Sequence, residues 1–274
     1  MTEIARKNIL ITGGASGIGR QMALKMAKEG GNLILWDINE ANLEKVKREI
    51  QDATGREAHG YLCDVSDREQ VYAVAEKVKA DVGPVDILVN NAGIVSGQPL
   101  LDLPDEKIEA TFKVNVLALF WVTKAFLPHM VERNAGHIVN IASSAGFVGV
   151  SKLTDYSSSK FAAVGFDESL RNELRSVAPN VRTTVVCPFF IDTGMFKGAK
   201  TRFSSLLPIL KEAEVADAVV KAVKAGRARL MMPAMVYLVP SLRLLPIKLF
   251  DALGDILGVN VSMNEFVGRT KAGG

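Results

Sequence analysis

A glycine-rich turn between an apolar run and a helix-periodic segment is the feature of this chain that most restricts its fold. Residues 7–12 read KNILIT, residues 13–19 read GGASGIG, and RQMALKMAKEG follows. The apolar run is typical of a parallel strand buried on both faces. Glycines permit positive φ angles and close backbone approach, and a helix N-terminus presents free N–H groups to a pyrophosphate. The sequence therefore predicts a phosphate-binding turn, with the spacing G-x-x-x-G-x-G rather than the commoner G-x-G-x-x-G.

A carboxylate follows the second apolar run and extends this interpretation. The run NLILW leads directly into Asp37, eighteen residues after Gly19. A carboxylate at this point can accept hydrogen bonds from both hydroxyls of an adenosine ribose, and it repels a 2′-phosphate. A glycine turn alone could equally be structural. Together with Asp37 it predicts a dinucleotide site that prefers NAD over NADP.

Apolar strand-like runs alternate with amphipathic helical stretches along most of the chain. Stretches such as NEANLEKVKREIQDA are the expected crossover helices of a parallel sheet, and no linker or low-complexity tract interrupts the 274 residues. Chains of this size with such a pattern usually form one domain. We therefore predict an α/β fold: a single-domain, doubly wound (Rossmann) parallel sheet in three α/β/α layers over residues 1–274, with an apolar C-terminal extension. The six clearest strands are NILIT, NLILW, EAHGYLC, VDILVN, GHIVNIA and VRTTVVC.

Polar residues and turns gather where the predicted strands end. In a doubly wound sheet, ligands bind beyond the carboxyl ends of the strands, near the switch in strand order. We therefore expect the residues at these ends to share one site: Asp64 after the third strand, NNAG (90–93) after the fourth, Ser143 after the fifth and residues 188–193 after the sixth.

Each of these residues also has a structural interpretation. Asp64 could only cap the helix that follows it. Asn91 and Gly93 could only shape a turn, because both residue types tolerate left-handed conformations. Ser143 and Ser144 are neighbours, and the sequence alone does not tell which hydroxyl faces the site.

Tyr156 and Lys160 lie at positions i and i+4 of a predicted helix, TDYSSSKFAAVGF. This spacing places the phenol and the ammonium on one helix face, about one turn apart. A free phenol titrates near ~10 and is a poor base at neutral pH, but a fixed cation beside it favours the phenolate. A surface helix that happens to carry both residues is the alternative. Asn115 is a polar residue in an otherwise apolar helix, and if buried it needs hydrogen-bond partners, which suits a structural or a water-holding role.

Taken together, TGGASGIG, Asp64, NNAG, Asn115, Ser143, the Y-x-x-x-K pair and CPFFIDTG resemble the short-chain dehydrogenase/reductase family over about residues 7–195. LWDIN, FWVTKAFLP and SSKFAAVGF resemble its branch of retinol and hydroxysteroid dehydrogenases. The resemblance implies an NAD(H)-dependent oxidoreductase with a catalytic tetrad at Asn115, Ser143, Tyr156 and Lys160. It implies cofactor contacts, with Tyr156 and Lys160 shared, at Gly13, Ser16, Gly17, Ile18, Gly19, Asp37, Asp64, Val65, Asn91, Ala92, Gly93, Pro188, Ile191 and Thr193.

The resemblance also implies a role for each member of the tetrad. Tyr156 is the general acid/base, and Lys160 stabilises the phenolate and hydrogen-bonds the nicotinamide ribose. Ser143 donates a hydrogen bond to the substrate oxygen, and Asn115 holds a water that connects Lys160 to solvent.

The expected substrate is a hydrophobic alcohol or ketone, such as a steroid, a retinoid, or a long-chain or aromatic compound. The family usually has Pro-Gly after the sixth strand, whereas this chain has Pro188 followed by Phe189, whose ring could line the substrate pocket. The candidate lining is mostly apolar and carries no fixed charge. It comprises Val95, Phe147, Val148, Leu153, Phe189, Phe190, Met195 and Phe196.

The C-terminal part, residues 196–274, is predicted to add a substrate cover and an extension to the core of residues 7–195. Its apolar segment, residues 231–258, is broken by Pro233, Pro240 and Pro246 and carries Arg243 and Lys248, so it is not an uninterrupted spanning helix. Three interpretations remain open: a cover over the pocket, an oligomer contact, or a peripheral membrane contact.

Charge and composition limit the remaining function classes. The net charge of +3 comes from interleaved acids and bases, which gives no argument for nucleic acid. The three histidines lack metal-ligand spacing, so no metal is expected, and the two cysteines suit buried thiols in a reducing compartment. The N-terminus shows no signal core, so we expect the cytoplasm. A homodimer or homotetramer is expected through helices near residues 106–133 and 154–178.

Functions of other classes are weighed against the dehydrogenase. A non-catalytic NAD-sensing module could use the same fold, but it has no need of the proton-transfer residues. An epimerase or dehydratase acting on nucleotide sugars normally has a shorter glycine spacing and a larger substrate domain. A membrane-surface, lipid-associated protein whose C-terminal segment carries the function is the third alternative.

Overall fold

The computed structural model describes residues 1–268 and contains a seven-stranded, wholly parallel sheet. Its strands are β1 (Asn8–Thr12), β2 (Asn32–Asp37), β3 (His59–Leu62), β4 (Ile87–Asn90), β5 (Gly136–Ile141), β6 (Val181–Pro188) and β7 (Arg229–Met232). The strand order is β3-β2-β1-β4-β5-β6-β7. The chain therefore switches direction across the sheet between β1 and β4, which is where such folds bind ligands.

The six predicted strands are present, and the structure adds β7 at the edge of the sheet, paired with β6. The sequence of β7, RLMM, contains no β-branched or aromatic residue, so propensity gave no signal for it. Strand β3 is shorter than the predicted run of residues 57–63, because only His59–Leu62 pairs with β2.

Helices cover both faces of the sheet, which confirms the predicted doubly wound, three-layer architecture. On one face Met22, Val46 and Val219 belong to a core cluster formed by helices 1, 2 and 7, and on the other Val74 and Phe126 belong to a cluster formed by helices 3 and 5. The helices are α1 (Gly17–Lys28), α2 (Glu40–Thr54), α3 (Arg68–Asp81), α4 (Asp105–Phe112), α5 (Ala118–Glu132), α6 (Thr154–Val177), α7 (Glu212–Ala225), α8 (Val239–Leu242) and α9 (Ile247–Ile256).

A π-helical turn over Lys113–Leu117 joins α4 to α5, so residues 105–132 run as one interrupted helix. Among the described residues, this is the one helix long and apolar enough to cross a membrane by composition. Half of its most apolar window is buried inside the fold, and its faces pack against α3 and α6. It is therefore a core helix of the domain.

The apolar C-terminal extension is present, and it folds as short pieces rather than as one helix. Pro233 precedes a 3₁₀ turn over Ala234–Leu238, Pro240 lies in the first turn of α8, and Pro246 precedes α9. Each proline lacks the N–H that a continuing helix needs, so the segment changes direction at these points. It contributes residues to the same cavity as the carboxyl ends of the strands.

Candidate active site

The glycine turn between β1 and α1 adopts a conformation that side chains would obstruct. Gly13 has a φ of 62°, and a Cβ on Gly19 would overlap the carbonyl oxygen of Gly13 and lie 2.6 Å from the Nδ2 atom of Asn91. Ser16 precedes α1, and its side chain makes no capping hydrogen bond. The first N–H groups of α1 are therefore not capped by that side chain, as expected of an anion-binding helix end.

Asp37 lies at the carboxyl end of β2 and borders the cavity. Its carboxylate accepts hydrogen bonds from the backbone N–H groups of Ala15 (3.0 Å) and Asn39 (3.1 Å). A carboxylate has about four lone-pair sites, so it can still accept hydrogen bonds from ribose hydroxyls. Asp37 thus fixes the glycine turn and faces the site at the same time.

The alternative that Asp64 only caps the next helix is wrong. Asp67 is the N-cap of α3, since its carboxylate accepts hydrogen bonds from the N–H groups of Glu69 and Gln70. Asp64 instead accepts a hydrogen bond from the N–H of Ser66 (2.9 Å) and borders the cavity.

Asn91 has both a structural contact and a place in the cavity wall. Its side-chain amide donates hydrogen bonds to the carbonyl oxygens of Thr12 (2.9 Å) and Gly13 (3.0 Å). The hydroxyl of Thr12 in turn accepts from the N–H groups of Asn91 (3.0 Å) and Ala92 (3.1 Å). The ends of β1 and β4 are therefore locked together at the switch in strand order.

Tyr156, Ser143 and Lys160 meet inside the fold. Both hydroxyls of Tyr156 and Ser143 line the same cavity, and the Ser143 hydroxyl, not that of its neighbour Ser144, is the one that lowers the pKa of Tyr156. The Nζ atom of Lys160 lies 5.6 Å from the centroid of the Tyr156 ring and donates a hydrogen bond to the carbonyl oxygen of Ile141 (2.9 Å). All three residues are buried and line the cavity, so the alternative of an exposed surface pair is wrong.

Burial is the largest influence on the pKa values of Tyr156 and Lys160. Burial raises the pKa of Tyr156 to about 12, and the Ser143 hydroxyl lowers this pKa by a smaller amount. Burial lowers the pKa of Lys160 to about 8. The pKa of the phenol therefore lies above its ordinary value and not below it as the neighbouring cation predicted, because desolvation penalises the phenolate. The phenol is held protonated at pH 7, the form that donates a proton to a carbonyl being reduced.

Asn115 lies in the π-helical turn, and its side chain makes three hydrogen bonds. Its Oδ1 atom accepts from the N–H of Ile94 (2.9 Å), and its Nδ2 atom donates to the carbonyl oxygen of Ile94 (2.9 Å) and to Ser159 (3.0 Å). The side chain thus ties the loop after β4 to α6. The water-holding role of Asn115 stays a prediction.

One cavity of about 360 Å³ brings the predicted site residues together. Every predicted catalytic or cofactor residue lines it except Gly19, which packs behind the glycine turn, and Asn115, which lies behind the loop after β4. In the described part of the chain, Lys160 is the one cationic residue of the lining, and no cluster of three potential metal ligands occurs.

Aromatic rings form one wall of this cavity. The ring centroids of Phe189 and Phe190 are 4.6 Å apart, those of Phe190 and Phe196 are 5.1 Å apart, and Phe196 meets Tyr156 edge-on at 5.6 Å. Val148, Leu153 and Met195 line the cavity as predicted, but Val95 and Phe147 do not. Val95 packs in the core cluster around Tyr156, and the Phe147 ring packs against the guanidinium of Arg229, 5.2 Å from its centroid.

The C-terminal segment supplies lining residues that were not individually predicted. The sequence signals its apolar character but not which side chains point inwards, since three prolines break its periodicity. Because residues of the segment 231–258 line the cavity, the structure favours the interpretation of this segment as a cover over the pocket. The large apolar lining residues from 207–259 are Leu207, Met235, Val236, Val239, Leu242, Phe250, Leu253, Leu257 and Val259, and Asp251, Gly254, Asn260 and Ser262 also line the cavity.

Comparison with known proteins identifies the family. A family model described as short chain dehydrogenase matches residues 7–202. The chain belongs to the short-chain dehydrogenase family. The match covers the sheet as far as β6, including the tyrosine, serine and lysine that meet in the cavity.

Relatives place this short-chain dehydrogenase in the retinol dehydrogenase-like branch. It is 45% identical to epidermal retinol dehydrogenase 2 of Mus musculus over 270 residues, which are 98% of this chain and 87% of the relative. It is 42% identical to short-chain dehydrogenase/reductase family 16C member 6 of Bos taurus, covering 99% of this chain and 86% of the relative.

Solved structures of the family share the fold. A short-chain dehydrogenase/reductase from Burkholderia phymatum, in complex with NAD, superposes with a TM-score of 0.81 at 32% identity, covering 91% of this chain and 96% of its own. An alcohol dehydrogenase from Thermococcus sibiricus, complexed with 5-hydroxy-NADP, gives a TM-score of 0.75 at 29% identity, covering 83% and 96%. The family thus includes binders of both dinucleotide types.

Proposed function

We propose that this short-chain dehydrogenase transfers a hydride between NAD(H) and a hydrophobic alcohol or ketone. The observation that carries the proposal is the burial of Tyr156, Ser143 and Lys160 together in a cavity that has the glycine turn at one end and apolar residues at the other. When bound, NAD would accept the hydride that the carbinol carbon of an alcohol loses, and Tyr156, once deprotonated, would take the hydroxyl proton. In reduction, Tyr156 returns that proton to the carbonyl oxygen.

Ser143 and Lys160 are proposed to support Tyr156 in different ways. Ser143 and Tyr156 line the same cavity, so one oxygen of a substrate can accept hydrogen bonds from both hydroxyls. Lys160 uses one of its three N–H donors on Ile141, which leaves two for a ribose hydroxyl and a water. These contacts stabilise the alkoxide-like charge that develops on the substrate oxygen.

The proposal favours NAD over NADP. Asp37 provides a carboxylate at the end of β2, and the cavity lining carries no cation near it, since Lys160 lies beside Tyr156. A 2′-phosphate would therefore meet a negative charge without a compensating positive one.

The proposed substrate class is lipophilic. The aromatic wall and the C-terminal segment supply a largely apolar surface around the reactive hydroxyls, which suits an alcohol with a large hydrocarbon body. The retinol dehydrogenases among the relatives support this class. Steroids, retinoids, long-chain alcohols and aromatic alcohols all belong to it.

We also propose that the enzyme acts as a homo-oligomer in the cytoplasm. Leu117 and Phe120 are exposed where the π-helical turn meets α5, and Phe161 is exposed on α6, so these helices carry apolar surface for a second copy. Cys63 and Cys187 are buried free thiols, which suits a reducing compartment. Sedimentation velocity of the purified chain and microscopy of the tagged chain test these two points.

The test of the proposed reaction is reduction of NAD by a panel of hydrophobic alcohols, followed by nicotinamide absorbance. Tyr156→Phe should lower turnover by at least about 100-fold, because it removes the proton-transfer group, and should still bind NADH. Tyr72→Phe is the matched control, since Tyr72 lies on α3 outside the cavity lining. NADH binding without oxidation of any panel alcohol by the wild type would instead favour the NAD-sensing module.

A further inference from the structure

A second cavity lies beside the first, between the start of α6 and the C-terminal segment. It is partly open and has a volume of about 700 Å³, within the range of about 300–1,000 Å³ that is usual for small-molecule sites. Val148, Gly149, Val150 and Phe250 line both cavities, so these residues form a shared wall. The proposed reaction makes no use of the second cavity.

Ser157 lines the second cavity, and its hydroxyl makes no hydrogen bond within the described part of the chain. The residue is buried, with 5% of its surface exposed. The next two serines of α6 are paired: Ser158 donates to the carbonyl oxygen of Thr154 (2.8 Å), and Ser159 donates to that of Tyr156 (2.7 Å). Buried side-chain hydroxyls are almost always hydrogen-bonded. An unpaired one in a cavity wall therefore points to a ligand atom as its partner.

Arg243 places a positive charge about one helical turn from Ser157. Its guanidinium lies 5.0 Å from the ring centroid of Phe161, which follows Ser157 by four positions on α6. It also donates a hydrogen bond to the carbonyl oxygen of Phe147 (2.9 Å). Among the residues that the structure describes, no carboxylate pairs with this guanidinium, and it is the one charged group of the lining. Since a guanidinium has five N–H donors, several remain for a ligand.

The surroundings of the second cavity favour an anion with an apolar body. Helix α6 begins at Thr154, which lines the cavity, and its N-cap side chain makes no hydrogen bond, so the positive end of the helix dipole adds to the charge of Arg243. Asp155 lies in the same turn but outside the lining, and its carboxylate accepts hydrogen bonds from Ser96 and Thr111. The apolar lining residues are Val148, Val150, Phe161, Leu245, Ile247 and Phe250.

We propose that the second cavity binds a long-chain carboxylate, with the carboxylate on Arg243 and Ser157 and the hydrocarbon chain along the apolar lining. A carboxylate accepts two parallel N–H bonds from a guanidinium, which suits a group held against the Phe161 ring. It carries one negative charge, which the single guanidinium balances, whereas a phosphate dianion would lack a second cation in the described lining. This inference goes beyond the proposed reaction and does not rest on it.

The test is isothermal titration calorimetry of the full chain with dodecanoate below its micellar concentration, and with methyl dodecanoate, which has the same chain without the charge. Dodecanoate should bind about tenfold or more tightly than the ester, because only the carboxylate forms charge-assisted hydrogen bonds with Arg243. Arg243→Gln should weaken dodecanoate binding about tenfold or more and should remove the preference over the ester. Ser157→Ala should weaken it about threefold or more at the thermal midpoint of the wild type, since the hydroxyl has no partner in the described chain to lose.

The matched control is Arg202→Gln, which should bind dodecanoate like the wild type. Arg202 also lies against a ring, 5.7 Å from the centroid of Phe203, and donates to one carbonyl oxygen, that of Ile256 (3.4 Å), but it lines neither cavity. Hydrogen exchange should locate the ligand independently, with dodecanoate protecting the amides of residues 147–150 and 243–250.

Four results would overturn the proposal. They are no binding of dodecanoate, equal affinity for dodecanoate and its ester, an equal loss in the two arginine variants, and a loss in Ser143→Ala with none in Arg243→Gln. The last result would place the carboxylate in the first cavity, which Ser143 lines.

Discussion

Replacing Lys160 with methionine should stabilise the fold at neutral pH while it damages the site. Lys160 is 4% exposed, and its ammonium has one protein hydrogen bond, to the carbonyl oxygen of Ile141. Burial lowers its pKa from 10.5 to about 8. The folded protein therefore holds a charge that would be more stable in water.

The size of the effect follows from this pKa difference. Each unit of pKa corresponds to about 1.4 kcal/mol, so keeping the buried ammonium costs about 3 kcal/mol at pH 7. Methionine removes that cost but leaves the Ile141 carbonyl without its donor, which costs about 1–2 kcal/mol. The net expectation at pH 7 is a gain in the free energy of unfolding of about 1–2 kcal/mol.

The pH dependence gives the prediction its signature. Between about pH 8 and 10.5, the unfolded chain keeps the Lys160 proton while the folded chain has lost it, so the stability of the wild type rises with pH in this window. At pH 9.5 the cost of the buried charge falls to about 1 kcal/mol, and the advantage of Lys160→Met should disappear.

Urea unfolding of both proteins at pH 7 and pH 9.5 measures this difference, with Lys221→Met as the control for a general effect of the substitution. Lys221 is exposed on α7, so its variant should show no change in its stability difference from the wild type between the two pH values. If Lys160→Met differs from the wild type by the same free energy of unfolding at both pH values, then burial does not lower the pKa of Lys160 and the reasoning fails.

Three further substitutions test the cofactor and substrate parts of the site. Asp37→Arg should raise the NADP/NAD ratio of kcat/KM by about 10-fold or more, because it replaces a charge that repels the 2′-phosphate with one that attracts it. An unchanged ratio would show that this carboxylate does not select the cofactor. Gly19→Ala should weaken NADH binding by at least about tenfold, as measured by fluorescence, because the added Cβ would overlap Gly13. Gly165→Ala is the control: its Cβ would meet open space, so NADH affinity should not change. Phe189→Gly should raise KM for apolar alcohols by about tenfold with unaltered NADH affinity; an unaltered KM would exclude this ring from the substrate end.

The parts of the fold that the sequence predicted are those where local patterns agree with one another. The turn between β1 and α1 is marked by glycine chemistry, by an apolar run before it and by helical periodicity after it. Strand β7 has no such agreement, because Arg229–Met232 is short and lacks strand-forming residue types, and its pairing with β6 comes from tertiary contacts.

The candidate site was predictable in its residue types but not in its energetics. Tyr156 and Lys160 meet as their spacing predicts, yet the direction of the tyrosine pKa was wrong. A sequence shows which charges are neighbours along a helix, but it does not show how deeply both groups are buried, and here burial outweighs the neighbouring charge. Hydrogen-bond partners such as Ile94 for Asn115 are equally invisible, since they depend on how the loop after β4 folds back.

Helix α6 shows why the fold tolerates the free-energy cost of a buried Lys160 charge near Tyr156. Its buried face carries Asp155, which accepts from Ser96 (2.7 Å) and Thr111 (2.8 Å), and Ser159, which accepts from Asn115. One turn after Lys160 the same face is apolar, at Ala163 and Val164, and about two turns after it carries Asp167, which accepts from Asn140 (2.8 Å) and Thr183 (3.2 Å). Buried polar groups add little net stability, but unmet donors and acceptors are expensive, so each contact penalises a displaced helix. The same burial that destabilises the Lys160 charge therefore holds the phenol in the cavity that Ser143 also lines, where a proton transfer needs it.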